Sequence, residues 1–118
     1  LRAAAGPTGF VARIGGDEFV VLVEVGPQVA RETFRARMRA LTRGIENRLA
    51  EPVVIPATTL NISAAQGLAF WESDDMTAAE LIRRADLAMY RAKAARQADV
   101  VTYSLQMDET ARDDQRIE

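Results

Sequence analysis

Neither cysteine nor histidine occurs among the 118 residues. Disulfides, thiolate nucleophiles, zinc sites of the Cys/His type and imidazole acid–base chemistry are thereby excluded, which leaves carboxylates as candidate metal ligands and bases. No apolar run approaches the length of a membrane span, and the first residues lack the charged-then-apolar pattern of a secretion signal. The sequence therefore predicts a soluble, cytoplasmic segment with no direct membrane contact. Charge of one sign is also lacking, since 15 basic and 17 acidic residues leave a formal net charge of −2. No general field attracts nucleic acid, so any recognition of phosphate has to be local. A hydrophobic content of 48% and a charged content of 27% suit one globular domain or part of one.

What is present centres on Arg13-Ile14-Gly15-Gly16-Asp17-Glu18-Phe19. Phe10-Val11-Ala12 leads in and Phe19-Val20-Val21-Leu22-Val23 leads out, so the glycine pair reads as a tight hairpin turn between two strands. Glycines leave backbone N–H groups open to a phosphate, and an acid beside them can hold a cation that neutralises it. On spacing alone a Gly-Gly turn with adjacent acids is more often a solvated hairpin tip.

Strands are expected over 9–14 and 18–25, the second covered on both faces because it is apolar at nearly every position. Gly26-Pro27 is read as breaking that strand and opening a helix to about residue 50. Val29, Phe34, Met38, Leu41, Ile45 and Leu49 form its apolar stripe, and arginines fill the remainder as a solvated face. A short strand over 53–55, a turn at Pro56-Ala57-Thr58 and a longer strand over 59–70 follow. The next helix, running to about residue 96, has Asp75 or Thr77 as N-cap, with Glu80 answering Thr77 in a capping box. It should bury Leu81, Ile82, Ala85, Ala88, Met89, Ala92 and Ala95. A last strand over 99–103 precedes a charged, helical segment over 104–118.

Gly15-Gly16-Asp17-Glu18-Phe19, with Arg13 before it and an apolar strand after it, resembles the signature of the GGDEF family, the diguanylate cyclases of bacterial cyclic di-GMP signalling. A second run, Ala85-Asp86-Leu87-Ala88-Met89-Tyr90-Arg91-Ala92-Lys93, resembles that family's AD-x-A-x-Y-x-A-K helix. The resemblance implies an α/β fold, a palm-like α+β sandwich of the nucleotide-cyclase kind. Residues 1–103 correspond to the C-terminal portion of the domain, and 104–118 resemble the connector to a following EAL phosphodiesterase domain. It also implies GTP as substrate, Mg2+ or Mn2+ as cofactor and a homodimer for catalysis.

By the same resemblance Asp17 matches the metal ligand and proposed base. Gly15 and Gly16 match the backbone that approaches the phosphates, and Lys93 matches a cation that reaches the triphosphate. Glu18, its neighbour, is a second catalytic candidate in a role not shared with Asp17, since neighbouring side chains on an extended chain point to opposite faces. Asp86 is open between capping, pairing with Arg83 and facing the site. Departures are visible as well. Ala65 stands where the family's Ser-x-Gly strand is expected to carry glycine, and Arg96-Gln97-Ala98 replaces the usual Gly-Arg/Lys-Asn, with Arg96 as a possible substitute cation. Gly6-Pro7-Thr8-Gly9 lacks the Arg-x-x-Asp of the family's inhibitory product site, so feedback through that site should be absent. The family's opening Asp-x-Asp-x-Phe strand and guanine-reading pair are not among these residues. The expectation is a fragment inactive by itself, belonging to a diguanylate cyclase. The alternative is a degenerate GGDEF domain that binds GTP or packs as a regulator of an attached EAL phosphodiesterase.

Overall fold

The structure, a computed structural model, describes residues 9–60, 63–95 and 100–116. Two units, Leu1–Ile62 and Ser63–Glu118, are each compact within themselves. Gly6-Pro7-Thr8, in the stretch that lacks the Arg-x-x-Asp motif, and the substitutions at Arg96-Gln97-Ala98 lie outside the described residues.

In the first unit, β1 (Gly9–Gly15) and β2 (Glu18–Val23) pair antiparallel, with Phe10 opposite Leu22 and Arg13 opposite Phe19. The register shifts between Arg13 and Gly15, so Ile14 is the extra residue of a β-bulge. Expected coverage of β2 on both faces does not hold within this structure. Val20, Val21 and Val23 are half-buried, whereas the cross-strand pair Phe10 and Leu22 is 65% and 50% exposed. The run's apolar composition reported strand propensity, and burial is a separate property.

Helix α1 (Arg31–Ala50) buries Met38, Thr42 and Ile45, at steps of four and three residues. Arg31, Arg37, Arg39, Arg43 and Arg48 are exposed, as a solvated charged face requires. The helix begins later than Gly26-Pro27 suggested. Those residues enter a turn closed by Val29 N–H donating to the Gly26 carbonyl at 3.1 Å, and helical geometry starts only after the extended Ala30. Strands β3 (Val53–Ile55) and β4 (Thr58–Leu60) then form a second hairpin around Pro56-Ala57, where Ala57 has φ of 80°.

The second unit is a βαβ arrangement. Strand β5 (Gly67–Leu68) pairs parallel with β6 (Val101–Thr102), and α2 (Ala78–Ala94) is the crossover between them, as a parallel pair requires. The long strand expected over 59–70 is therefore two pieces with different partners. β4 serves β3, and β5 serves β6. Among the described residues the strands make three two-stranded ladders.

Close packing in this unit rests on Gly67. A Cβ built there would lie 2.1 Å from the Ala85 carbonyl oxygen and 2.2 Å from the Met89 nitrogen, both backbone atoms. Ala65, where glycine is expected, lies outside the strand, and the tightly packed glycine is Gly67, two residues further on. Ala88 and Ala92 are completely buried on α2, with Leu68 and Met76 in the same small core. Small side chains permit this helix–strand approach. Ile82 and Ala95, expected inside, are exposed. Helix α3 (Leu105–Arg116) completes the unit, and no helix of the described residues is long and apolar enough to cross a membrane.

Candidate functional site

Gly15 pairs with Glu18 in the first hairpin, which leaves Gly16 and Asp17 as the two turn residues. Gly16 has φ of +42°, at the first central position, where hairpin turns that follow strand twist call for glycine. Arg13 secures the bend from the strand side. Its Nε donates to the Gly16 carbonyl at 2.8 Å, and its guanidinium lies 6.0 Å from the Phe19 ring centroid. Phe19 is directly opposite Arg13 in the ladder, so the ring contact is made across the strands while the bond reaches on into the turn.

The result is an exposed acid on a fixed bend. Asp17 is exposed, while Glu18 is half-buried and already has a partner, so the two carboxylates occupy different surroundings. Beside Gly15 and Gly16 a built Cβ would meet nothing within 4 Å. The backbone there is open to a ligand on the side where any other residue would carry its side chain. Asp17 supplies a single carboxylate, and no group of three acidic ligands gathers among the described residues. A divalent ion, which takes six or more oxygen donors, is not fully ligated by these residues alone.

Lys93 and Asp86 belong to the second unit, on α2. They are seven residues apart and therefore on one helical face, about 10 Å from each other along the axis; both are exposed, as is Tyr90 between them. Pairing of Asp86 with Arg83 is not observed, because that guanidinium turns to Glu80 and Asp108. The α2 cap resolves to Thr77, whose hydroxyl accepts from the Glu80 N–H at 3.1 Å. The Glu80 carboxylate is taken up by Arg83 at 2.7 Å and Arg84 at 3.0 Å. Hydrogen bonds from Arg83 and then Arg84 hold the Glu80 carboxyl down at about 2. The Arg83 guanidinium is pushed up by the bonds it donates to Glu80 and Asp108, and burial raises the Tyr103 phenol, assisted by its bond to Asp108.

Two features escaped the sequence. Arg13 enters the sequence pattern only as preceding the signature, though a cation three places before a turn is within reach of its carbonyls. Asp108 was one acid in a charged tail, and nothing in the pattern linked it to Arg83, 25 residues away.

Residues 1–99 match the family described as diguanylate cyclase, GGDEF domain. An uncharacterized signaling protein of Caulobacter vibrioides is 33% identical over 96% of this chain, and the bifunctional diguanylate cyclase/cyclic di-GMP phosphodiesterase MucR of Pseudomonas aeruginosa is 39% identical over 79%. The cyclic di-GMP phosphodiesterase NbdA of the same organism is 26% identical over 91%. This chain spans only 13% of the length of each. An X-ray structure of an EAL/GGDEF domain protein from M. capsulatus is similar with a TM-score of 0.70 and 31% identity, covering 86% of this chain and 62% of that one. The α/β class expected for this family is the one observed. Hairpin signature, helix motif and these likenesses agree: the chain belongs to the GGDEF domain family of cyclic di-GMP signalling.

Proposed function

We propose that these residues form the signature-bearing portion of a diguanylate cyclase domain that condenses two GTP molecules into cyclic di-GMP as a homodimer in the cytoplasm. The observation that carries this reading is the hairpin tip, where open backbone at Gly15 and Gly16 adjoins the exposed carboxylate of Asp17. In the reaction each 3′-hydroxyl oxygen forms a bond to the α-phosphorus of the other nucleotide. The bond to the bridging oxygen breaks, pyrophosphate leaves with the electron pair, and the hydroxyl proton passes to a base. Asp17 is the proposed acceptor and a metal ligand; Gly15 and Gly16 offer N–H groups to the phosphates, and Lys93 neutralises triphosphate charge. Magnesium or manganese, when bound, supplies charge neutralisation at phosphate. Glu18, half-buried and partnered, contributes less directly. One carboxylate is an incomplete ion site, so the 118-residue polypeptide by itself is proposed to be inactive.

A second reading is favoured by Gln97, which stands where a phosphate-facing cation is common in the family. There the domain binds GTP, or only packs, and regulates an attached EAL phosphodiesterase. Turnover and GTP binding measured separately on the full-length polypeptide, wild type and Asp17→Asn, decide between them. The cyclase reading expects cyclic di-GMP formation that falls at least ~100-fold in the variant, with circular dichroism unchanged. GTP binding without turnover in the wild type would establish the second reading, and turnover indifferent to Asp17→Asn would overturn both roles given to that residue.

A further inference from the structure

Helix α3 is attached to α2 by a small set of polar side chains. Arg83 presents Nη1 and Nη2 to the two carboxylate oxygens of Asp108 at 2.8 and 3.0 Å, and Nε and Nη2 to Glu80 at 2.9 and 2.7 Å. The Tyr103 hydroxyl donates to the same Asp108 carboxylate. Arg84 lies 4.9 Å from the Tyr103 ring centroid and also bonds Glu80, while Arg91 Nη2 donates to the Met107 carbonyl at 3.4 Å. These ties reach α3 at Met107 and Asp108, in its first turn, where an acid is also favoured by the helix dipole.

The hold differs in kind from that of α2, which brings its own backbone against Gly67 and seals Ala88 and Ala92 completely. At the start of α3, Leu105 is 68% exposed. Forked, charge-assisted bonds are directional and strong for their size, yet a partly exposed pair weakens with salt, and Arg83 has a side chain 48% exposed. Such a joint can part while an apolar core stays closed.

We infer that α3 is a latched helix, held chiefly at the Asp108 carboxylate by Arg83 of α2 and by Tyr103, and that opening this latch releases α3 while the β5–α2–β6 core remains folded. The inference is independent of the catalytic reading, since it concerns neither Asp17 nor GTP. Its consequence is a coupling point: a partner that draws on α3 meets this joint before it meets α2. Among the described residues Glu80, Arg84 and Arg91 are further charged groups beside it.

Hydrogen–deuterium exchange by mass spectrometry on the full-length polypeptide tests it. Asp108→Asn should speed exchange across 105–116 by about tenfold or more, with 78–94 and 9–23 within about twofold of wild type. The swap Arg83→Asp with Asp108→Arg should restore slow exchange. Tyr103→Phe, which deletes one bond, and a salt titration of the wild type from ~0.05 to ~1 M should accelerate the same segment by smaller factors. Unchanged exchange at 105–116 in the variants, or acceleration shared equally by α2, would overturn the latch.

Discussion

The glycines of the β1–β2 turn and the glycine of β5 use the same missing side chain for opposite ends. At Gly15 and Gly16 nothing lies within 4 Å of a built Cβ, whereas at Gly67 two backbone atoms of α2 lie within 2.2 Å of one. The first pair opens backbone to the outside; Gly67 admits a helix. A glycine in a signature is thus informative only once its empty side is known, because open space points to a ligand or a turn and filled space points to packing.

The contrast can be broken by putting the methyl group back. Gly67→Ala should show the largest effect, a loss of about 3 kcal/mol or outright failure to fold, because carbonyl and amide atoms of a helix cannot rotate aside. Denaturant unfolding of the full-length polypeptide measures this, and a variant within about 1 kcal/mol of wild type would mean that α2 is not seated on Gly67. The β3–β4 hairpin supplies the reverse experiment. Ala57 occupies a φ of 80° that glycine tolerates better, so Ala57→Gly should raise stability by roughly 0.5 kcal/mol after glycine's greater freedom in the unfolded chain is offset. A loss of stability there would place Ala57 in a different backbone state. Gly15→Ala should change stability least, by no more than about 0.5 kcal/mol, since its empty side holds nothing and its φ is ordinary. If the proposed phosphate contact is real, the same variant still loses GTP affinity.

How much of this was legible beforehand follows from which forces act locally. A hairpin at the glycine pair, the stripe of Met38 and Ile45, and a cap at Asp75 or Thr77 depend on neighbours within a few residues, and the sequence showed them; the turn itself falls one residue later, at Gly16 and Asp17, and the cap is Thr77. Gly67 did not stand out, because its partner atoms at Ala85 and Met89 are about twenty residues distant and belong to backbone that any sequence carries. The glycine expectation accordingly settled on Ala65. Division of 59–70 between two ladders was hidden for a like reason, since strand propensity does not name the partner strand. Of the candidate site, the residue types were readable and the support was not. Arg13 reaching Gly16 is a geometric fact of this turn, and exposure of Phe10 and Leu22 could not be told from a run apolar throughout.

Ile14 carries a consequence for how this hairpin tolerates change in length. Because one residue of β1 has no counterpart on β2, the acidic tip is offset by one step from the alternation that Phe10 and Ala12 set. Deleting Ile14 would even out the ladder and leave every residue type in place, yet it would reverse which side of the ribbon the signature acids address. Chain length between Arg13 and Gly15 is therefore as much a determinant of that tip as the letters that spell it.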